Sequence, residues 1–189
     1  MNKMNTTEKL FTPLRKESAP EAVLPVFEHV EKAFGFVPNL MGTFANAPAA
    51  AKGYHALIVE FTRSSFTPQE QQLVLLATSV ENKGQYCTLA HSVAANSLAR
   101  LPAETIDAVR NGEPLADERL NALVMLTRQL VRQRGYTDPQ SVQAFLAAGY
   151  RKEQIMELLL GIALKTISNY LDHLSPIEID PAFQPVRTA

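Results

Sequence analysis

Phe66-Thr67-Pro68-Gln69-Glu70-Gln71-Gln72-Leu73-Val74-Leu75-Leu76-Ala77-Thr78-Ser79-Val80-Glu81-Asn82-Lys83-Gly84-Gln85-Tyr86-Cys87-Thr88-Leu89-Ala90-His91-Ser92 reads as two helices with a tight break between them. Thr67 stands as an N-cap, Pro68 takes the first helical position and Glu70 follows three residues after the cap, the spacing of a capping box. Leu73, Val74, Leu76 and Ala77 carry the first helix to about Glu81. After Asn82-Lys83-Gly84 the second continues through Val93 and Leu98. No long period-2 alternation occurs anywhere in the chain, and the twelve prolines fall mostly at the edges of apolar-periodic stretches, so the fold is expected to be all-α.

Working outward, residues 1–18 read as an N-terminal arm and residues 19–174 as one helical domain. A first helix carries Val23, Leu24, Phe27, Val30 and Phe34 and ends at Gly35. A short helix is expected over Leu40 to Ala45, and another follows Asn46-Ala47-Pro48 with Tyr54, Leu57, Ile58 and Phe61. Beyond the hairpin, helices are expected from Leu101-Pro102 to Asn111-Gly112, from Asp117 to Arg134, from Thr137-Asp138-Pro139 to Gly149, and from about Lys152 to Leu174. The last is apolar around nearly its full girth, which places it centrally or at a subunit interface. Residues 175–189, with Pro176, Pro181 and Pro185, read as an extended tail over the surface or onto a neighbouring subunit.

At 189 residues the chain is long enough to bury most of its apolar surface without disulfides. A formal net charge of -1 offers no basic field for nucleic acid or an anionic membrane, which leaves small molecules and proteins as partners. The first eight residues are too polar for a signal peptide. The apolar run Leu158 to Leu164 is too short to cross a bilayer and is closed by Lys165. A soluble, cytoplasmic protein is expected. The single cysteine excludes an intramolecular disulfide and agrees with a reducing compartment. Four scattered histidines and one cysteine make no metal site, no glycine loop cradles phosphate, and no cofactor is expected.

Chemistry is concentrated at Cys87 and His91. In a helix they are i,i+4 neighbours with Cβ atoms about 5–6 Å apart, and helical side chains lean toward the N-terminus, which tilts the His91 ring back over the thiol. A free cysteine in an apolar helix is often only a small buried hydrophobe, so the physics of activation matters. Moving a thiol pKa from about 8.5 to about 6.5 needs about 2.7 kcal/mol of preferential stabilisation of the thiolate. A helix N-terminus typically supplies about 0.3–1 kcal/mol. His91 or another donor must supply the rest. Glu81 and Tyr86 are the further residues placed near the pocket, with Glu81 and Asn82 also fitting helix termination and capping. Asn169 and His173 form a second polar i,i+4 pair, read as mainly structural. His29 and His55 have no sequence partner.

These residues resemble the carboxymuconolactone decarboxylase superfamily, specifically its alkylhydroperoxidase D-like, peroxidase-related branch. Gly35-Phe36-Val37-Pro38-Asn39 before the hairpin and Ile167-Ser168-Asn169-Tyr170-Leu171-Asp172-His173 after it extend the resemblance over most of the chain. It implies an all-helical fold assembled as trimers or hexamers. In redox-active members it implies a Cys-x-x-Cys-x-x-x-His motif, with a glutamate in the preceding helix relaying protons. Here Cys87 and His91 match the second cysteine and the histidine, Gly84 stands at the first cysteine, and Gln72 stands at the relay glutamate. Glu70 lies two residues from that position on a different side of the helix. The resemblance therefore implies a single-cysteine protein in thiol-dependent peroxide chemistry. Cys87 would be the nucleophile, His91 would manage the proton, and an external thiol would resolve the sulfenic acid. Two alternatives stay open: a non-redox lyase in which His91 acts on a small carboxylated lactone, and a non-catalytic oligomeric binding or sensing protein.

Overall fold

The computed structural model describes residues 9–184. Within them are nine α-helices and no strand: α1 (Leu24–Phe34), α2 (Asn39–Phe44), α3 (Pro48–Thr62), α4 (Pro68–Glu81), α5 (Gln85–Ser97), α6 (Ala103–Asn111), α7 (Glu118–Arg132), α8 (Pro139–Ala147) and α9 (Glu153–Leu174). Single 3₁₀ turns precede α1 and follow α9.

Helix α4 is the axis. Thr67 forms the expected capping box: its Oγ1 accepts from Glu70 N at 3.2 Å, and Glu70 Oε2 accepts from Thr67 N at 2.8 Å. Every residue from Leu73 to Ser79 is buried, because α4 packs against α5, α7 and α9 at once. A helix enclosed on all sides has no polar face to show, which accounts for its continuous apolar run. Leu73, Leu76 and Ala77 join a small core with Leu101, Ile106, Val109 and Val124. Val74 and Leu75 face the larger core, with Phe27, Phe61, Leu158 and Leu164. The two cores thus lie on opposite sides of one helix.

Helix α9 crosses α3, α4 and α5. Its close approach depends on Gly161, where a Cβ would lie 2.6 Å from Phe61 Cε2 and 2.8 Å from Val74 Cγ1. The helix is central, as one of the two sequence readings has it, but its polarity is inverted toward its C-terminus. Lys165, Ser168, Asn169 and Asp172 are buried, whereas Ile167, Tyr170 and Leu174 are exposed. An i, i+3, i+4, i+7 set lies on one helical face, so a polar stripe points inward.

The break between α4 and α5 departs in detail from the sequence reading. Lys83 adopts the left-handed conformation, with φ 59°. Gly84, at φ -78°, is the N-cap of α5 and makes no side-chain cap. Its lack of a side chain is a matter of space: a Cβ there would sit 2.2 Å from Asn169 Nδ2 and 2.6 Å from Asn169 Cγ. Asn82 does not cap α5 either; its Nδ2 donates to Asn169 Oδ1 at 3.2 Å. One buried N-terminal amide of α5 is met from α9, where Asp172 Oδ2 accepts from Tyr86 N at 3.2 Å. Asp172 Oδ1 also accepts from Ile177 N at 3.0 Å, tying the tail to the same point.

The tail, as far as residue 184, packs on its own chain. Ile177 and Phe183 enter the core, and Asp180 accepts from Asn39 N at 3.0 Å and from the Tyr86 hydroxyl. Of the arm, residues 1–8 lie outside the described residues. Leu14 N bonds Gly42 O at 2.9 Å, and Phe11 N bonds Ser175 Oγ at 3.1 Å.

Candidate functional site

Four helices bring one residue or pair each to a single buried cluster: Tyr54 from α3, Gln72 from α4, Cys87 and His91 from α5, and Lys165 with Ser168 from α9. Cys87 occupies the third position of α5, inside the first turn where the helix dipole favours negative charge. Its Sγ lies 3.3 Å from Ser168 Oγ and 3.8 Å from Lys165 Nζ. Ser168 Oγ can accept from the thiol or donate to the thiolate; in the former state it donates to Lys165 O at 3.0 Å.

Lys165, with Tyr54 and Ser168 beside it, was missed by sequence reasoning. An ammonium has three donors and no acceptor. Here the three point to Tyr54 Oη at 3.1 Å, His91 Nε2 at 2.9 Å and Cys87 Sγ at 3.8 Å. Burial works against the charge, but Cys87 and Tyr54 beside it outweigh burial and hold the Lys165 pKa above its ordinary value. Burial and, second, the Lys165 charge hold His91 well below the usual histidine range. A neutral imidazole receiving Lys165 on Nε2 keeps its proton on Nδ1, which donates to Gln72 Oε1 at 3.0 Å. His91 therefore reaches the sulfur only through Lys165, and the expected direct Cys87–His91 pairing is replaced by a bridge. Burial first, and the Cys87 charge after it, raise the Tyr54 pKa against the lowering by Lys165, so Tyr54 stands as a neutral hydroxyl.

The remaining sequence candidates separate. Gln72 is in the cluster. Glu70 is not: it caps α4 and pairs with Arg119, Nη2 to Oε1 at 3.2 Å, on the far side of the helix. Glu81 also points away, accepting from Arg132 Nη2 at 2.9 Å and lying 3.6 Å from the buried Arg128. Tyr86 lines the cavity wall, with its hydroxyl committed to Asp180. Asn169 fills the space above Gly84, and His173 Nε2 lies 3.3 Å from Lys83 O, so this pair grips the α4–α5 break rather than the cluster.

The cluster forms the floor of a cavity of about 310 Å³. Its walls are apolar, including Met41, Ile58, Leu75 and Leu164, and its rim includes His29, His55 and the exposed Phe34 and Leu98. The volume stands at the small end of ligand pockets. No group of three or more potential metal-ligating side chains is gathered among the described residues.

One consequence is a pH dependence of stability. His91 is neutral when folded and titrates near pH 6.5 when unfolded, so below that pH the unfolded chain binds a proton that the folded chain refuses. Its contribution is intact above pH 6.5 and is lost as pH falls, at up to about 1.4 kcal/mol per pH unit. His55, lowered by burial and then by His29, acts in the same direction. In His91→Gln, denaturant unfolding between pH 6.5 and pH 5 is expected to show a shallower loss of stability than in the wild-type chain. An equally steep loss would contradict a neutral, bridged His91.

No protein-family model matches the chain, and no curated protein matches its sequence. Solved structures do match its course. The alkylhydroperoxidase AhpD core of an uncharacterized peroxidase-related protein from Ralstonia eutropha JMP134 superposes with a TM-score of 0.82 at 18% identity, covering 93% of this chain and 94% of that one. This chain has the AhpD fold. An uncharacterized peroxidase-related protein from Silicibacter sp. TM1040 gives a TM-score of 0.78 at 16% identity, over 95% of this chain and 97% of that one. A cysteine-to-alanine variant of the debrominase Bmp8, in complex with 2,3,4-tribromopyrrole, gives 0.80 at 19% identity, over 94% and 95%. The AhpD fold thus accounts for nearly the whole of this chain, including the helices that carry the Cys87 cluster. No described helix is long and apolar enough to cross a membrane.

Proposed function

We propose that this protein is a single-cysteine, thiol-dependent oxidoreductase that reduces a small, largely apolar hydroperoxide at Cys87. The observation that carries the reading is the buried Lys165 amino group, 3.8 Å from Sγ, at the floor of an apolar cavity. A buried ammonium is retained only with partners that repay its desolvation, and a thiolate is the partner that gives it a counter-charge. The Cys87 thiolate attacks the terminal peroxide oxygen, forming an S–O bond as the O–O bond breaks. The departing alkoxide takes a proton from Lys165, leaving a sulfenic acid, an alcohol and a neutral amine. Tyr54 and His91 hold the Lys165 nitrogen in place, and Gln72 sets the His91 tautomer. With one cysteine in the chain, the oxidised sulfur returns to the thiol at the expense of two external thiols.

Removal of bromine from a small brominated aromatic is the second reading. It is favoured by the likeness to the debrominase and by a cavity of the right size and polarity. The exposed face of Met156, Leu159, Ile167, Tyr170 and Leu174 on α9 supports reading the protein as a homo-oligomer, since contiguous apolar patches seldom remain bare. The functional test follows cumene hydroperoxide loss, bromide release from 2,3,4-tribromopyrrole and carboxymuconolactone decarboxylation, each with and without a dithiol. Dithiol-dependent loss of hydroperoxide is the expected result. Bromide release alone would replace it with the second reading, and decarboxylation without thiol would overturn both.

A further inference from the structure

A single-cysteine cycle leaves its sulfenic acid exposed to further oxidation until an external thiol arrives. In this chain an amine nucleophile is already in place beside Sγ. Lys165 Nζ lies 3.8 Å from it on a side chain whose other two contacts, Tyr54 Oη and His91 Nε2, are hydrogen bonds that can be broken. The position from which a Cys-x-x-Cys motif would resolve the sulfur is closed, because Gly84 carries no side chain and Asn169 fills the space above it. We propose that Lys165 is the internal resolving group, condensing with oxidised Cys87 to a reversible sulfenamide cross-link between α5 and α9. The proposal rests on the hydroperoxide reading above.

The chemistry balances step by step. Peroxide attack converts the thiolate and ammonium to a sulfenic acid and a neutral amine, the proton having left with the alcohol. The amine then attacks sulfur: an S–N bond forms, the S–O bond breaks, and the hydroxyl departs with an amine proton as water. An external thiol opens the S–N bond to a mixed disulfide and returns the amine. A second thiol releases Cys87 and leaves as the external disulfide. One hydroperoxide and two thiols become one alcohol, one disulfide and one water. Once the thiolate is consumed, the larger of the two influences that offset burial is gone and Tyr54 alone remains against it, so burial favours the nucleophilic amine.

The test treats the full chain with one equivalent of cumene hydroperoxide in the absence of thiol and weighs it intact. The expected product is lighter than the reduced chain by two hydrogens and reverts with dithiothreitol. Cleavage after glutamate should join residues 82–104 to residues 158–178. In Lys165→Arg, which keeps the charge but cannot condense, that species should vanish and chains carrying added oxygen should replace it. Stoichiometric capture of Cys87 sulfenic acid by dimedone, with no cross-link and no difference between wild type and Lys165→Arg, would overturn the inference while sparing the hydroperoxide reading. A Cys87 that does not oxidise at all would overturn both.

Discussion

Replacing Lys165 with methionine is expected to lower thiol-dependent hydroperoxide turnover by about 10- to 100-fold, the effect of removing the positive charge that faces the sulfur and supplies the proton to the leaving oxygen. Cys87→Ser should abolish it. The same Lys165→Met change is expected to leave the unfolding midpoint unchanged or to raise it. Methionine matches the lysine stem in length and flexibility. When the ammonium is lost, the sulfur beside it takes up a proton and stands as a thiol, and Tyr54 and His91 are neutral already, so no uncompensated charge stays buried. Exchanging a buried charged group for an apolar one of similar volume is commonly neutral or stabilising when no opposite charge is stranded. Loss of activity together with preserved stability separates an activating Lys165 from a merely structural one. A variant that turns over normally would refute the thiolate–ammonium assignment, and retained lactone decarboxylation in Cys87→Ser would favour the lyase alternative.

Introducing a second cysteine at position 84 is expected to fail on its own. In Gly84→Cys the new Cβ falls 2.2 Å from Asn169 Nδ2 and 3.0 Å from Asn169 Cβ, and overpacking of this kind typically costs about 1–3 kcal/mol. Asn169 also accepts from Asn82, so pushing it aside loosens the α4–α5 break beside Cys87. The single variant should therefore be destabilised and form little disulfide between position 84 and Cys87. Gly84→Cys combined with Asn169→Ala removes the blocking amide. It should recover most of the lost stability and form an intramolecular disulfide on treatment with peroxide. Denaturant melts and thiol titration of the four members of this cycle provide the check. Additive effects, with no rescue, would show that Asn169 is not what excludes a side chain at position 84.

Much of the fold is legible along the chain, because its signals are local. The Thr67 capping box forms as its spacing dictates, and the Cys87 helix starts after the break at 82–84. Each helix lies within a few residues of its expected bounds, Glu118–Arg132 being shorter than the Asp117 to Arg134 expectation and Glu153–Leu174 nearly coincident with its own. The site is less legible, because it is assembled across helices far apart in sequence. Lys165 reads along the chain as the charge that closes Leu158 to Leu164. Only the spacing of Lys165, Ser168, Asn169 and Asp172 shows that the charge belongs to an inward stripe, a pattern available in the sequence but hidden by the apolar residues around it. Glu70 and Glu81 sit near the motif in sequence, yet the helical turn carries them to Arg119 and Arg132 on the other side of α4. Asp180 lies 94 residues from Tyr86 and meets it only because the tail folds back.

The most direct measurement is the rate of Cys87 alkylation by iodoacetamide in the wild-type and Lys165→Met chains, followed from neutral to strongly alkaline pH. If the thiolate is held by Lys165, the wild-type chain reacts about 10- to 100-fold faster at neutral pH. The two rates then converge at high pH, where any accessible thiol ionises and only access to the cavity matters. Equal rates at neutral pH, or a constant ratio across the whole range, would contradict activation by charge.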